Sequence, residues 1–256
     1  VAVTTDLDKL RRFNAVMGLV HLVQAIVMLV LSSDFSLPVT TAFQKFDPAS
    51  GRLVSDFRTG FDLRLGPLIA GFLLLSALAH LAVATGPGFR WYSANLRHHI
   101  NPARWIEYSL SSSLMIVAIA MLVGIYDVVA LLALFAVNAG MILFGWMMEL
   151  HNQTTDRTRW TAYWFGVILG VVPWIGVAIY LIGAAGSDPG PPAFVYWIFF
   201  SIFVFFNVFA VNMVLQYKKV GRWRDYLYGE RAYILLSLFA KSALAWQVFA
   251  GTLRPV

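Results

Sequence analysis

Lys241 and Glu107 are the residues whose type and position could do chemistry. Lys241 stands ten residues into the 23-residue apolar stretch 231–253. At about 1.5 Å per residue it lies roughly 15 Å from either end of that stretch, and a lysine stem can reach out only about 6 Å. A charged ammonium at the middle of a bilayer costs on the order of 3 kcal/mol or more, so an intramembrane lysine points to function and needs a partner. In its neutral form the amine can attack an aldehyde carbonyl and give an imine, which is Schiff-base chemistry. Protonated, that imine is a buried cation, and one carboxylate suffices to neutralise it. Of the thirteen acidic residues, eleven fall in termini or connections and Glu149 at the inner edge of the fourth apolar stretch, which leaves Glu107 as the carboxylate well inside one. The plainer alternative is a Lys–Glu pair that only fixes helix packing, a weak source of stability.

Depth sets a condition on this pairing. If the third span begins at Asn101-Pro102, Glu107 lies only about 8 Å deep, well short of Lys241. Either that helix starts earlier, near Ser93, and kinks at Pro102, or the last helix extends inward past Arg231.

Other polar groups sit within reach. Ser237 is four residues before Lys241, hence one turn away on the same helix face, where its hydroxyl can serve the imine or bond back to its own helix. His21 and His80 are the histidines inside spans, at depths of about 12 Å and about 6 Å from the inner surface. With Asn101 they share the half that holds Glu107. A hydrated cluster there could accept a proton, since an imidazole titrates near neutral pH; a histidine that is only a hydrogen-bonding spacer is the alternative. Tyr108, Ser112 and Asn138 complete the polar candidates. The chain has no cysteine, which removes disulfides and thiolate metal sites. No metal cluster, nucleophile triad or phosphate loop stands out, so neither a bound metal nor an enzyme is expected.

These residues need a scaffold set by lipid. The 256 residues are 59% hydrophobic and 12% charged, with mean hydropathy +0.72, whereas charged residues make up about a quarter of a soluble domain. Seven apolar stretches of about 20 residues can each cross a hydrocarbon core of roughly 30 Å. They lie near 13–31, 66–84, 104–123, 129–149, 161–182, 194–216 and 231–253. The expected fold class is therefore an all-α integral membrane protein, a single domain over 1–256 with seven transmembrane helices. The polar start, with no cleavage site after the first apolar run, reads as leading into a retained helix.

The net charge of +6 follows topology rather than a nucleic-acid surface. Thirteen of the nineteen Lys and Arg, Arg104 among them, fall in the N-terminus and the second, fourth and sixth connections, against five in the others and the C-terminus. By the positive-inside rule the N-terminus is cytoplasmic and the C-terminus extracellular. The first connection, 32–65, is the long one, and the alternation from Arg52 to Arg58 predicts a short exposed hairpin. A loop of that length is a functional or assembly element, or else a mobile extracellular loop. The remaining connections read as short, making successive helices antiparallel neighbours. Asn152-Gln153-Thr154 matches a glycosylation acceptor but faces the cytoplasm in this topology.

The chain resembles the heliorhodopsins over essentially its whole length. The segments that carry the resemblance are Trp105-Ile106-Glu107-Tyr108-Ser109-Leu110-Ser111-Ser112-Ser113, Asn138 through Trp146, Pro173-Trp174-Ile175-Gly176, and Gly229-Glu230-Arg231-Ala232-Tyr233 leading into Ser237 through Gln247. The resemblance implies a rhodopsin-like bundle, all-trans retinal on Lys241, Glu107 as counterion, the inverted orientation reached above, and a homodimer. The Trp-x-x-x-Tyr-Pro pocket motif of common microbial rhodopsins is absent from the sixth span. An aromatic wall built on Phe203 and Phe206 is expected in its place, with Met141, Ile142, Gly145 and Trp174 as neighbours of the polyene, or else as ordinary helix packing.

A light-driven proton pump needs a relay to both faces, usually built on carboxylates. The outer half of the third span, Leu114 to Gly124, has no acid, and neither has the outer half of the seventh. The relay stops in the middle, and most of the resembled family is described as non-pumping with slow photocycles. The expectation is a light sensor in the cell membrane that signals to a cytoplasmic partner through the basic second and sixth connections. The alternative is a light-gated proton or ion conductor. Gly166 and Gly170 form a small-xxx-small pair in the fifth span that allows close contact between protomers or makes room for retinal; a dimer is expected through the fourth and fifth spans and the first loop.

Overall fold

The computed structural model describes residues 2–254, in eight α-helices and one two-stranded sheet. The helices are α1 (Ala2–Leu31), α2 (Leu65–Ala84), α3 (Gly86–Arg97), α4 (Pro102–Leu122), α5 (Val128–His151), α6 (Thr161–Ala185), α7 (Ala193–Tyr217) and α8 (Tyr226–Val248); strands β1 (Ser36–Asp47) and β2 (Arg52–Arg64) pair as a hairpin between α1 and α2. Seven helices, all but α3, are long and apolar enough to cross a membrane, the number expected. The bundle thus has an N-terminal face and a hairpin face, and Leu253 lies at the latter.

Local chemistry sets the helix starts. Asn101, Asp127 and Asp225 cap α4, α5 and α8, each side chain accepting a hydrogen bond from backbone N–H groups of the first turn, which satisfies donors the helix cannot. Pro102 occupies the first position of α4, where its missing N–H costs nothing. The tight turn between α4 and α5 passes through Gly124 at φ +100°, a conformation open to glycine.

α4 is the central helix and is buried along most of its length, whereas α5 buries only Leu131, Asn138, Met148 and Glu149. Elsewhere large apolar side chains such as Leu78, Ile179 and Trp197 point outward, as lipid-facing helices require. The main hydrophobic core gathers Phe72, Met115, Ile119, Val177, Ile198 and Leu244.

Two expectations about the connections change, and one open alternative closes. The hairpin is not confined to 52–58: it runs from Ser36↔Arg64 to Asp47↔Arg52, with a bulge after Val39. Its first strand is rich in Thr and polar residues and shows no clean alternation, so only the second announced itself. At the tip Asp47 accepts from Ala49 N at 3.1 Å and Ser50 Oγ at 2.7 Å, bonds that hold its carboxyl below the usual carboxylate range. At the base Thr40 N donates to Tyr126 O at 2.8 Å, and nearby Ser33 N donates to Leu253 O at 2.7 Å.

The second connection is not short irregular chain but helix α3, which buries Tyr92, Ser93 and Leu96; with Phe89 these have helical spacing, hidden by the Gly-Pro-Gly at its start. Finally, α8 begins at Tyr226 and α4 at Pro102. Of the two ways to bring Glu107 level with Lys241, the molecule uses the inward extension of the last helix. α4 and α8 run in the same direction from the N-terminal face, so both stems lean toward it, and the longer Lys241 stem brings its amine to the Glu107 carboxylate.

Candidate functional site

Lys241 on α8 and Glu107 on α4 meet with Nζ 2.7 Å from Oε1, and Lys241 is 3% exposed. Two hydroxyls complete the shell. Lys241 Nζ donates to Ser237 Oγ at 3.0 Å and to Ser76 Oγ at 2.6 Å, and Ser76 Oγ in turn donates to Glu107 Oε1 at 2.7 Å. Ser237 therefore serves the lysine rather than its own helix. Ser76 was missed by sequence reasoning; its only signal is a lone serine in the apolar run of α2. The Tyr108 ring lies 5.0 Å from Nζ, within cation–π range, and its hydroxyl donates to Tyr233 O at 2.8 Å.

Lys241 and Ser237 form part of the wall of a cavity enclosed by α4 to α8. Tyr108, Ser112, Met141, Ile142, Gly145 and Phe206 line it, as do Trp105, Ser111, Phe209, Met213 and Tyr233. Trp174 and Phe203, expected at the polyene, do not line it. They stand one layer behind, with Trp174 packed edge-on against Phe206 at 5.4 Å and Phe203 at 5.3 Å. Gly145 is required here, because a side chain at that position would overlap the Trp105 ring. Gly166 and Gly170 both face Met141 of α5, the latter with room for no Cβ beside Met141 Sδ. Within the chain they permit the close α5–α6 approach at the cavity.

The polar candidates separate into two groups. His80, Asn101, Tyr108 and Glu107 line a second, small cavity with Asn14 on the N-terminal side of Lys241. His80 Nδ1 lies 2.8 Å from Asn14 Oδ1 and its ring stacks on His21 at 5.6 Å. Both His21 nitrogens are buried without a partner among the described residues. Ser112 and Asn138 do not belong to this cluster. Asn138 Nδ2 donates to Ser112 Oγ at 2.8 Å and Ser113 Oγ at 3.0 Å, a tie between α4 and α5.

One expectation about charge fails outright. Arg104 and Glu230, assigned by their positions to connections, are buried inside the bundle together with Glu149, at 7%, 1% and 2% exposure. Arg104 bridges to both acids, with Nη2 2.5 Å from Glu149 Oε1 and Nη1 on Glu230 Oε1. Asn101 donates to Glu230 through Nδ2 at 2.6 Å and to Glu149 through its backbone N at 2.9 Å; Trp105 Nε1 reaches Glu149 at 2.6 Å. A rule that assigns charges at the ends of apolar runs to water cannot see such a cluster, because its members neutralise one another only once the helices are assembled. Among the described residues no group of His, Asp and Glu could hold a metal ion.

A family model described as heliorhodopsin matches residues 10–253. The chain belongs to the heliorhodopsin family. Heliorhodopsins are retinal-binding, light-sensing rhodopsins, and this one is a multi-pass membrane protein with that function and cofactor. A search of curated proteins gave no match.

The heliorhodopsin cavity fits a retinal. Its wall is mainly aromatic and aliphatic, with Lys241 among its residues and the Trp105 ring seated against Gly145, which suits an apolar polyene with a reactive end. Ser111, also in the wall, is fully buried.

Proposed function

We propose that the protein is a non-pumping light sensor with a slow photocycle, in which Lys241 carries all-trans retinal as an imine and Glu107 is its counterion. The observation that carries this is the 2.7 Å contact between Lys241 and Glu107 at the edge of an apolar cavity. Bound there, retinal supplies visible absorption and a change of shape on illumination. The chain's own residues do the remainder. Glu107 balances the cation, Ser237 and Ser76 orient the amine, and Phe206, Met141 and Ile142 shape the pocket, with Trp174 backing Phe206 and Phe203 packed on Trp174. The His21–His80 pair takes up a proton or spaces the cluster.

In this reading the N-terminus is cytoplasmic, supported by the excess of Lys and Arg on that face. The signal passes to a cytoplasmic partner through the basic second and sixth connections. A homodimer forms through α5, α6 and the hairpin; exposed Leu132, Met147, Ile168 and Phe57 support it.

Continuous illumination of voltage-clamped cells expressing the protein, with retinal supplied, is expected to give no photocurrent. A sustained current would establish the light-gated conductor instead. That alternative is disfavoured by the hairpin-side halves of α4 and α8, which carry no acid from Leu114 to Leu122 or from Ser242 to Val248.

Glu107→Gln is expected to move both the visible band and the pH at which that band titrates, because the buried cation loses its anion. The check is a spectroscopic pH titration of the variant beside the parent. Superimposable titrations would place the counterion elsewhere.

A further inference from the structure

We propose that Trp105 is a positioning residue that couples the retinal cavity to a separate polar pocket at the N-terminal face, by holding the Glu149 carboxylate in the floor of that pocket. The inference rests on retinal occupying the cavity beside Lys241.

The two spaces share no lining residue. The pocket at the N-terminal face encloses about 270 Å³ and is lined by Glu149 with Asn152, Asp156, Lys219, Arg224 and Tyr226 among others. Trp105 touches both systems. One side of its indole forms the cavity wall, seated where Gly145 has no side chain. Its Nε1 donates to Glu149 Oε2 at 2.6 Å. Tyr233 shares the cavity wall and lies over Arg104, with 4.0 Å from guanidinium carbon to ring, but its hydroxyl makes no bond to Glu149 or Glu230 among the described residues, so it offers no comparable directional link.

A hydrogen bond this short tolerates little movement. Displacement of the indole by roughly an ångström takes Nε1 beyond bonding distance. Glu149 then keeps Asn101 N, Arg104 and Tyr226 OH, the last at 3.3 Å, none of which lines the cavity. A change of shape in the cavity thus frees one of the carboxylate's fixed contacts and loosens the pocket floor. The pocket is the place where the photoreceptor's state becomes readable from water.

The absence of cysteine makes a direct test possible. Thr155 lines the pocket and is half-buried, so Thr155→Cys places one thiol there, and its rate of reaction with a small water-soluble maleimide reports access. In the pigment, illumination is expected to raise that rate by about tenfold, the population shift that accompanies loss of one hydrogen bond to a charged group. Trp105→Phe keeps a ring in the wall and removes the donor; it should make labelling fast in the dark and erase the light dependence. The same variant should label faster than the parent in retinal-free membranes, a comparison that needs no pigment. Glu149→Gln, which weakens the bond from the other side, should shrink the light-to-dark ratio and stands in if Trp105→Phe fails to fold.

Equal labelling in light and dark by a pigment with a normal visible band and flash response would overturn the coupling while leaving the retinal reading intact. So would a light dependence unchanged by either substitution. Failure of the Thr155→Cys chain to form a visible band under conditions where the unmodified chain also fails would strike at the retinal reading instead.

Discussion

Lys241→Ala eliminates the visible band that forms when retinal is added to the expressed chain. The substitution removes three methylenes and the amine from a site that is 3% exposed, and no other lysine approaches the cavity among its lining residues. Glu107 keeps the Ser76 hydroxyl as a partner, so the helices retain a route to fold. Absorption spectra of parent and variant, purified in parallel with retinal present, decide the matter. A visible band of undiminished intensity in the variant would remove Lys241 from its assigned role. A finer arm follows from volume: an imine of retinal with n-propylamine replaces the missing atoms, and its binding should restore colour to the alanine variant. Colour restored in this way separates loss of the attachment point from loss of the fold.

The second large effect concerns the cluster below the site. Arg104→Met leaves the Glu149 and Glu230 carboxylates buried without their cation, and removal of one partner from a buried ionic group costs about 3–5 kcal/mol. The variant should lose its structure at markedly lower temperature or denaturant concentration in mild detergent, followed by circular dichroism. The companion variant Arg104→Met/Glu149→Gln/Glu230→Gln removes all three charges together and should recover most of the loss, since a neutral set of similar volume is often tolerated. Equal stability of parent and Arg104→Met would mean that water, not the guanidinium, satisfies the two acids.

These two sites show what can and cannot be seen in an apolar sequence. Lys241 and Glu107 were legible because each interrupts a long hydrophobic run, where a charge has no ordinary reason to be. The seven spans were legible for the same reason, as length and hydropathy alone decide them. Arg104 and Glu230 were hidden because they sit at the ends of such runs, where solvated charges are normal; their burial depends on α8 starting at Tyr226 and on a pairing between α4, α5 and α8. Ser76 was hidden because serine is common inside membrane helices. Trp174 and Phe203 do not line the cavity, since helical spacing gives a face but not the depth of packing behind it. The family segments around Glu107 and Lys241 added the cofactor, which spacing alone could only restrict to an aldehyde.

The bond from Ser33 N to Leu253 O, with Thr40 N held by Tyr126 O, has a mechanical consequence. It fastens the first helix to the last, and the hairpin base to the α4–α5 corner, all at one end of the barrel of helices. At the opposite rim the helices are held differently, by Arg104 bridging α4 to Glu149 of α5 and Glu230 of α8, so the two ends of the bundle are fastened by backbone bonds at one and by buried charge at the other.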